Sequence, residues 1–276
     1  MVGRSFGIGF AFRCEEQNKA KNMSATILFL VFLLLSQCVL AQYTDEALYK
    51  AYLTSDVSLW KEYIEATDWS SLTEAEKERL LNYQYGYVAF AVSEETDWAE
   101  RHLELFKEHL ADSSLQIDAA QLACYRSSVA AYEISFTTFR KLSYAAQAMD
   151  YADEAMRLDS LHPAALTLKA NIDMYCPKAF GGNKARALQY FLLAERRFKE
   201  LHQTQYNWNY RALQLCIAQC YEKTGEKAKA IAKCESILRE EPDFAYIRDV
   251  YLPTLRGESA KGKGGVGDMG RIAGAL

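Results

Sequence analysis

The sequence has little proline, no excess of positive charge and no long apolar run. Four prolines among 276 residues, together with weak alternation of polar and apolar residues, argue against a β-rich fold and favour an all-α one. A net charge of −4 gives no electrostatic reason to expect nucleic acid as a partner. The most apolar stretch, residues 25–35, is too short to span a bilayer comfortably.

Recognisable motifs for catalysis, metal binding or cofactor binding are also missing. The sequence contains neither a nucleophile elbow nor the HExxH pattern of metalloproteases. The glycine-rich stretch 262–268 lacks the Lys-Ser/Thr pair that a phosphate-binding loop requires. We therefore predict no catalytic residue, no metal and no cofactor, and we do not expect an enzyme.

Cysteine and histidine are the residues that could still carry site chemistry. The cysteines after residue 41 fit no zinc spacing and are interpreted as small buried apolar residues, with a disulfide or a metal site as the alternative. His102 and His109 lie seven residues apart and could share a helix face. Because no third metal ligand is evident in the sequence, we expect the two histidine side chains to be solvated. The five cysteines are Cys124, Cys176, Cys216, Cys220 and Cys234.

Residues 1–41 are predicted to be a secretory signal. Lys19 and Lys21 precede the apolar run 25–35, and fairly small residues occupy the −3 and −1 positions before Gln42. This pattern predicts cleavage before Gln42 and export, with the periplasm as the expected location and no stable membrane span after cleavage. The alternative is a single anchoring helix.

The N-terminal sequence allows two alternative interpretations. Met23 is an alternative start, in which case residues 1–22 are extra upstream translation and both lysines are lost. The stretch 35–38 partly matches the lipobox of bacterial lipoproteins, although Gln37 stands where a small residue is expected. Lipid anchoring through Cys38 and secretion are therefore alternatives to a soluble periplasmic protein.

The clearest internal pattern runs from Arg211 to Pro242, where one amphipathic helix follows another. Ala218 on the first helix and Ala230 on the second are small, so the two backbones can approach closely. Between them, Gly225 can take the left-handed conformation that ends a helix, and Pro242 cannot continue the second one. The stretch is therefore predicted to be a helical hairpin. Its small and large residues resemble those of a tetratricopeptide repeat.

Residues 73–255 contain looser copies of the same unit. The anchoring alanines at 99, 148, 187 and 230 are separated by 49, 39 and 43 residues, more than the roughly 34 of a strict tetratricopeptide repeat. The resemblance implies an all-α fold, an α-α superhelix of antiparallel helix pairs across residues 42–256. The glycine-rich tail, 257–276, has few large residues and is predicted to be disordered. The predicted helices cover 45–67 with a break near 54–56, then 73–92, 97–110, 118–140, 143–158, 164–175, 184–198, 211–223, 227–241 and 245–255.

The resemblance also implies a binding groove lined by the first helix of each repeat. Tyr83 and Tyr87 matter most in this prediction, because rigid aromatic rings with a polar tip suit a binding surface. The alternative is that the two rings pack against the N-terminal helices, residues 45–66. The full set of predicted groove residues is Tyr83, Tyr87, Phe90, Leu215, Gln219, Glu222 and Lys223.

These observations predict an exported binding or scaffold protein of the bacterial envelope, with a protein or peptide as its partner. The layout of residues 179–188 also resembles the periplasmic tetratricopeptide partners of TRAP-type solute transporters, which makes a ligand-binding accessory subunit the alternative. An enzyme with a site in the groove is the second alternative. The sequence does not identify the ligand, the pathway, the oligomeric state or the redox state of the cysteines.

Overall fold

The computed structural model of the protein describes residues 42–260. The chain divides into two compact units, Met1–Ala47 and Leu48–Leu276. In the first unit the described residues are 42–47, where the Thr44 hydroxyl accepts a hydrogen bond from the backbone N–H of Ala47 at 3.1 Å. The predicted signal peptide and most of the predicted tail, from residue 261 onward, lie outside the described residues.

Residues 42–260 form eleven α-helices and no β-strand. Their bounds are α1 (Asp45–Leu53), α2 (Ser58–Ala66), α3 (Glu74–Ser93), α4 (Ala99–Leu110), α5 (Ala119–Glu133), α6 (Lys141–Leu158), α7 (Pro163–Tyr175), α8 (Lys184–Glu200), α9 (Trp208–Lys223), α10 (Lys227–Glu240) and α11 (Leu252–Arg256). A π-helical turn, Tyr246–Tyr251, leads directly into α11. The predicted all-α fold is therefore confirmed.

Helices that are adjacent in sequence pack in pairs: α3 on α4, α5 on α6, α7 on α8, and α9 on α10. Small residues lie at these contacts, since Ala152, Ala187 and Ala230 are fully buried. Phe191 of α8 fills the space between α7 and α9, in one apolar cluster with Leu166 and other buried residues. This pairwise packing is that of an α-α superhelical fold, as predicted.

The helix ends follow local signals in the sequence. Thr73 and Glu76 form a capping box at the start of α3, and Asp118 and Asn183 accept backbone hydrogen bonds at the starts of α5 and α8. The prediction that α5 continues to residue 140 is wrong, because the helix ends at Glu133. The chain then passes through a short 3-10 turn and becomes extended at Thr137, a β-branched residue that loses side-chain freedom in a helix.

Within the second unit, residues near its beginning contact residues near its end. The indole rings of Trp60 on α2 and Trp208 on α9 pack together, and Tyr52 of α1 contacts Phe244 with ring centroids 5.4 Å apart. Gly86 of α3 makes this possible, because a Cβ atom there would lie 2.7 Å from Trp60 and 2.8 Å from Trp208.

Arg211 adds a polar connection between the same parts of the chain. Its buried guanidinium donates to the Tyr49 hydroxyl of α1 at 2.8 Å and to carboxylates of Glu240 and Glu241 at 2.6 and 2.9 Å. Tyr49 in turn donates to Glu241 at 2.7 Å. Because the arginine is almost fully enclosed, these hydrogen bonds satisfy a charge that would be costly to bury alone.

Candidate binding cleft

The structure buries the two tyrosines at the centre of the predicted groove. Tyr83 is 3% exposed and Tyr87 is 2% exposed. The Tyr83 ring contacts Trp60 and Tyr63 of α2, with centroids 5.2 and 5.8 Å apart. The Tyr87 ring lies 4.8 Å from the His102 ring, edge to face. Both rings fill the interior, and Tyr83 packs against α2 as in the alternative interpretation.

The other predicted groove residues lie in different surroundings. Leu215 and Gln219 are buried in α9, and Phe90 is partly buried. Glu222 is exposed at the end of α9 and accepts a hydrogen bond from Tyr251 at 2.9 Å. Lys223 lies over the Tyr175 ring, 5.2 Å from its centroid. The seven predicted residues therefore do not form one open aromatic surface, because most of their apolar side chains are already packed in the interior.

A separate half-open cleft lies beside α2 and α4, with a volume of about 370 Å³. The end of α2 and the residue after it supply one wall, and one face of α4 supplies the other. Polar and charged side chains converge on it from both sides, which is the arrangement expected of a small ligand site. We call this feature the α2–α4 cleft; its lining residues are Ile64, Glu65, Thr67, Arg101, His102, Leu105 and His109.

His102 is the most enclosed polar residue of the cleft, at 3% exposure. Its Nε2 atom lies 3.5 Å from Glu65 Oε1 and makes no hydrogen bond to the described residues. Burial lowers the pKa of His102, an effect that Glu65 opposes and the nearby Arg101 reinforces. The imidazole is therefore neutral near pH 7, and its Nε2 is a buried polar atom without a hydrogen bond to the described residues.

His109 forms the other buried imidazole of the cleft. It stacks on the Trp69 ring with centroids 4.1 Å apart and planes at 9°, and its Nδ1 lies 3.0 Å from Gln84 Oε1. Burial lowers the pKa of His109 as well. In the neutral ring, donation from Nδ1–H to the Gln84 oxygen leaves Nε2 as a hydrogen-bond acceptor.

The prediction that His102 and His109 are a solvated pair is wrong. Both rings lie on the same stripe of α4 as Leu103, Phe106 and Leu110, which is the face that packs against the rest of the fold. The three- and four-residue spacing of that stripe was visible in the sequence. Because His102 and His109 belong to this apolar stripe, their burial could have been predicted from the sequence.

Charge in the cleft comes from two residues of opposite sign. The Glu65 carboxylate is 41% exposed and Arg101 is exposed, so both are accessible to a ligand. Together with the neutral His109 ring, they offer a carboxylate acceptor, a guanidinium donor and an uncharged ring nitrogen within one small volume. These side chains could bind a small polar group that carries both a hydrogen-bond donor and a hydrogen-bond acceptor. Within residues 42–260, no group of three metal-ligating side chains comes together.

Four of the five described cysteines are buried packing residues. Cys124, Cys216, Cys220 and Cys234 are buried, and none of these four forms a disulfide. Burial raises the pKa of Cys124 and Cys234 to about 12 and that of Cys220 to about 11, so these thiols stay protonated at neutral pH. Cys216 and Cys220 belong to the apolar cluster around Phe191.

No protein-family model, curated protein or solved structure matches this chain. None of the helices in the described range 42–260 is long and apolar enough to cross a membrane.

Proposed function

We propose that this protein is an exported binding protein of the bacterial envelope, built on tetratricopeptide-like helix pairs, and that it holds its ligand in the α2–α4 cleft. The observation that carries the proposal is the convergence of Glu65, Arg101, His102 and His109 on one half-open volume of about 370 Å³. A helical-repeat scaffold serves this role well, because packed helix pairs hold such side chains on rigid elements.

The charges of the cleft favour a polar segment of a peptide as the ligand. Arg101 can hold a carboxylate or a main-chain carbonyl, and Glu65 can accept from an ammonium or an amide. His102 lies next to Glu65, with its Nε2 atom 3.5 Å from Glu65 Oε1. A cavity of about 370 Å³ would hold only a short part of a peptide, with the rest of the partner lying outside it.

The second candidate is an accessory subunit that binds a small solute for uptake. The volume of the cleft favours it, since small-molecule pockets begin at about 300 Å³. A dipolar solute such as an amino acid would use the same Glu65 and Arg101 contacts. The two candidates differ in the mass of the bound species, and one experiment can separate them.

The test is recovery of bound species from envelope extract. Purified protein is incubated with the extract and re-isolated, and the bound peptides and small molecules are identified by mass spectrometry. The cleft variant carries Glu65→Gln and Arg101→Gln. The matched control carries Glu235→Gln and Arg256→Gln, which neutralise an exposed ion pair of similar accessibility elsewhere on the chain.

We expect the cleft variant to retain at least tenfold less ligand than the control, because each lost charged hydrogen bond is worth about 1.5–3 kcal/mol. If both variants retained the same amount of ligand, the cleft would not be the ligand-binding site. Export is tested separately by N-terminal sequencing of the protein from the periplasmic fraction, where the expected first residue is Gln42.

A further inference from the structure

The turn between α5 and α6 exposes large apolar side chains to an unusual extent. Phe139 is 97% exposed and Leu142 is 84% exposed, whereas the other exposed large apolar residues of the described chain range from 37% to 48%. Phe136, at 37%, lies on the same turn. We call residues 134–142 the hydrophobic tip. Nothing in the fold requires these two side chains, because they contribute almost no area to the core.

The charge at the hydrophobic tip is positive. Arg140 and Lys141 lie between Phe139 and Leu142 and are both exposed. The sequence contains no acidic residue from 134 to 149, so the two cations have no carboxylate close by in the chain. Arg140 contacts the Tyr144 ring, with the guanidinium carbon 4.8 Å from its centroid. The tip thus combines apolar side chains with unneutralised positive charge.

We propose that the hydrophobic tip docks on the surface of an anionic lipid bilayer, with Phe139 and Leu142 inserted among the headgroups and Arg140 and Lys141 contacting lipid phosphates. Aromatic and aliphatic side chains partition into this interfacial region, and each basic residue near an anionic surface adds attraction. The contact is peripheral, since the described chain contributes no membrane-crossing helix.

A lipid surface fits the hydrophobic tip better than a folded partner does. Stable protein interfaces bury about 1,200–2,000 Å² and need a broad complementary patch. Here two neighbouring side chains project while Thr138 and Ser143 beside them are polar and exposed. A bilayer can accept a small projecting tip without a matching pocket, and anionic headgroups complement the two cations.

The experiment places a fluorescent reporter at the tip of the full chain. Phe139→Trp is compared with Leu192→Trp, which puts the same reporter at a half-exposed position on α8. Each variant is mixed with vesicles containing brominated lipid, either with phosphatidylglycerol or with phosphatidylcholine alone, and quenching is measured relative to the parent protein. Because the readout is local, binding of vesicles through residues 25–35 does not by itself quench the reporter at the tip.

We expect strong quenching of Trp at position 139 by phosphatidylglycerol vesicles and little at position 192. Adding Arg140→Gln and Lys141→Gln to the reporter variant should weaken vesicle binding about tenfold or more. Raising the salt concentration to 0.5 M should also weaken vesicle binding, because salt screens the attraction between the cations and the lipid phosphates. Equal quenching at both positions, or no dependence on lipid charge, would overturn the proposal. So would a fluorescence change at position 139 that follows protein concentration without vesicles, since it would show that a second copy covers the tip.

Discussion

The indole ring of Trp208 on α9 packs against the indole ring of Trp60 on α2, with centroids 5.2 Å apart and planes inclined at 53°. Trp60 is fixed in this position by its Nε1–H, which donates to the Leu48 carbonyl of α1 at 2.7 Å. Both rings lie close to Gly86 of α3, so the interior is aromatic and closely packed around this glycine. The candidate ligand site is the separate α2–α4 cleft.

Gly86→Ala tests this packing. Alanine would normally stabilise a helix interior by about 1 kcal/mol relative to glycine. At this position its Cβ would lie within 2.8 Å of both indole rings, so we expect a net loss of about 1–3 kcal/mol in the free energy of unfolding. Urea denaturation followed by tryptophan fluorescence measures the change. A variant more stable than the parent would show that the two rings do not close over α3.

Arg211→Met tests the polar connection to α1. The substitution keeps the apolar stem but removes the hydrogen bonds to Tyr49, Glu240 and Glu241. We expect a loss of about 2–4 kcal/mol, because the two carboxylates and the Tyr49 hydroxyl lose the guanidinium that donates to all three.

Its control is Arg248→Met, which removes the donor of the exposed pair with Asp249. That change should stay within about 0.5 kcal/mol of the parent, as is usual for surface ion pairs. Similar losses for the two variants would mean that the buried cluster adds no stability of its own.

Stability should fall as the pH is lowered from 8 to 5.5. Burial lowers the pKa of His102, His109 and His162 in the folded state, so the unfolded chain takes up protons first as the pH passes about 6.5. The unfolded state then binds more protons than the folded state, and the free energy of unfolding decreases, by at most about 1.4 kcal/mol per pH unit for each histidine.

The matched variants for this pH dependence are His102→Asn and His202→Asn. His102 is buried and His202 is exposed. Urea titrations at several pH values should give a shallower slope for His102→Asn and an unchanged slope for His202→Asn. A parent protein whose stability is flat across this range would contradict the burial of the imidazoles.

The two glycines before α8 should respond differently to alanine. Gly181 has a φ of +93°, and a Cβ atom added to it would meet no described atom within 4 Å. Gly181→Ala should therefore cost only the backbone strain of the left-handed conformation, about 1–2 kcal/mol. A Cβ atom on Gly182 would lie 1.8 Å from the carbonyl oxygen of Cys176, which forces the turn to move.

Gly182→Ala should therefore cost more than Gly181→Ala, about 3 kcal/mol or more, because the moved turn also carries the hydrogen bond from the Asn183 N–H to the Asp173 carbonyl at 2.8 Å. Thermal and urea unfolding of the two variants side by side provide the comparison. The reverse order of stability would be inconsistent with this turn geometry.

Local features of the fold could be predicted from the sequence, because their causes are local. The Thr73–Glu76 capping box, the Asn183 cap and the stop at Pro177 each depend on a few neighbouring residues. Apolar stripes with helical spacing similarly predicted the helices and their pairing. The early end of α5 was missed, since the two threonines after the short 3-10 turn were counted as helix.

The candidate site depends on contacts between distant parts of the chain, and those contacts leave no periodic signal. Nothing in the local sequence around Tyr83 shows that Trp60 covers it, or that Trp208 reaches Gly86. The cleft was missed for a different reason. The absence of a third metal ligand led to the prediction that His102 and His109 are solvated, although their positions on α4 place them among apolar neighbours.

The contacts of Trp60 and Tyr49 with α9 affect how the chain can fold during synthesis. In an array with neighbour contacts only, each unit can fold as soon as it leaves the ribosome, and whole units can be added or lost. Here the aromatic rings of the first helices remain uncovered until residues 208–211 have been synthesised. The aromatic interior therefore closes only after residue 211, and removing or inserting a helix pair before it would separate residues that must contact each other.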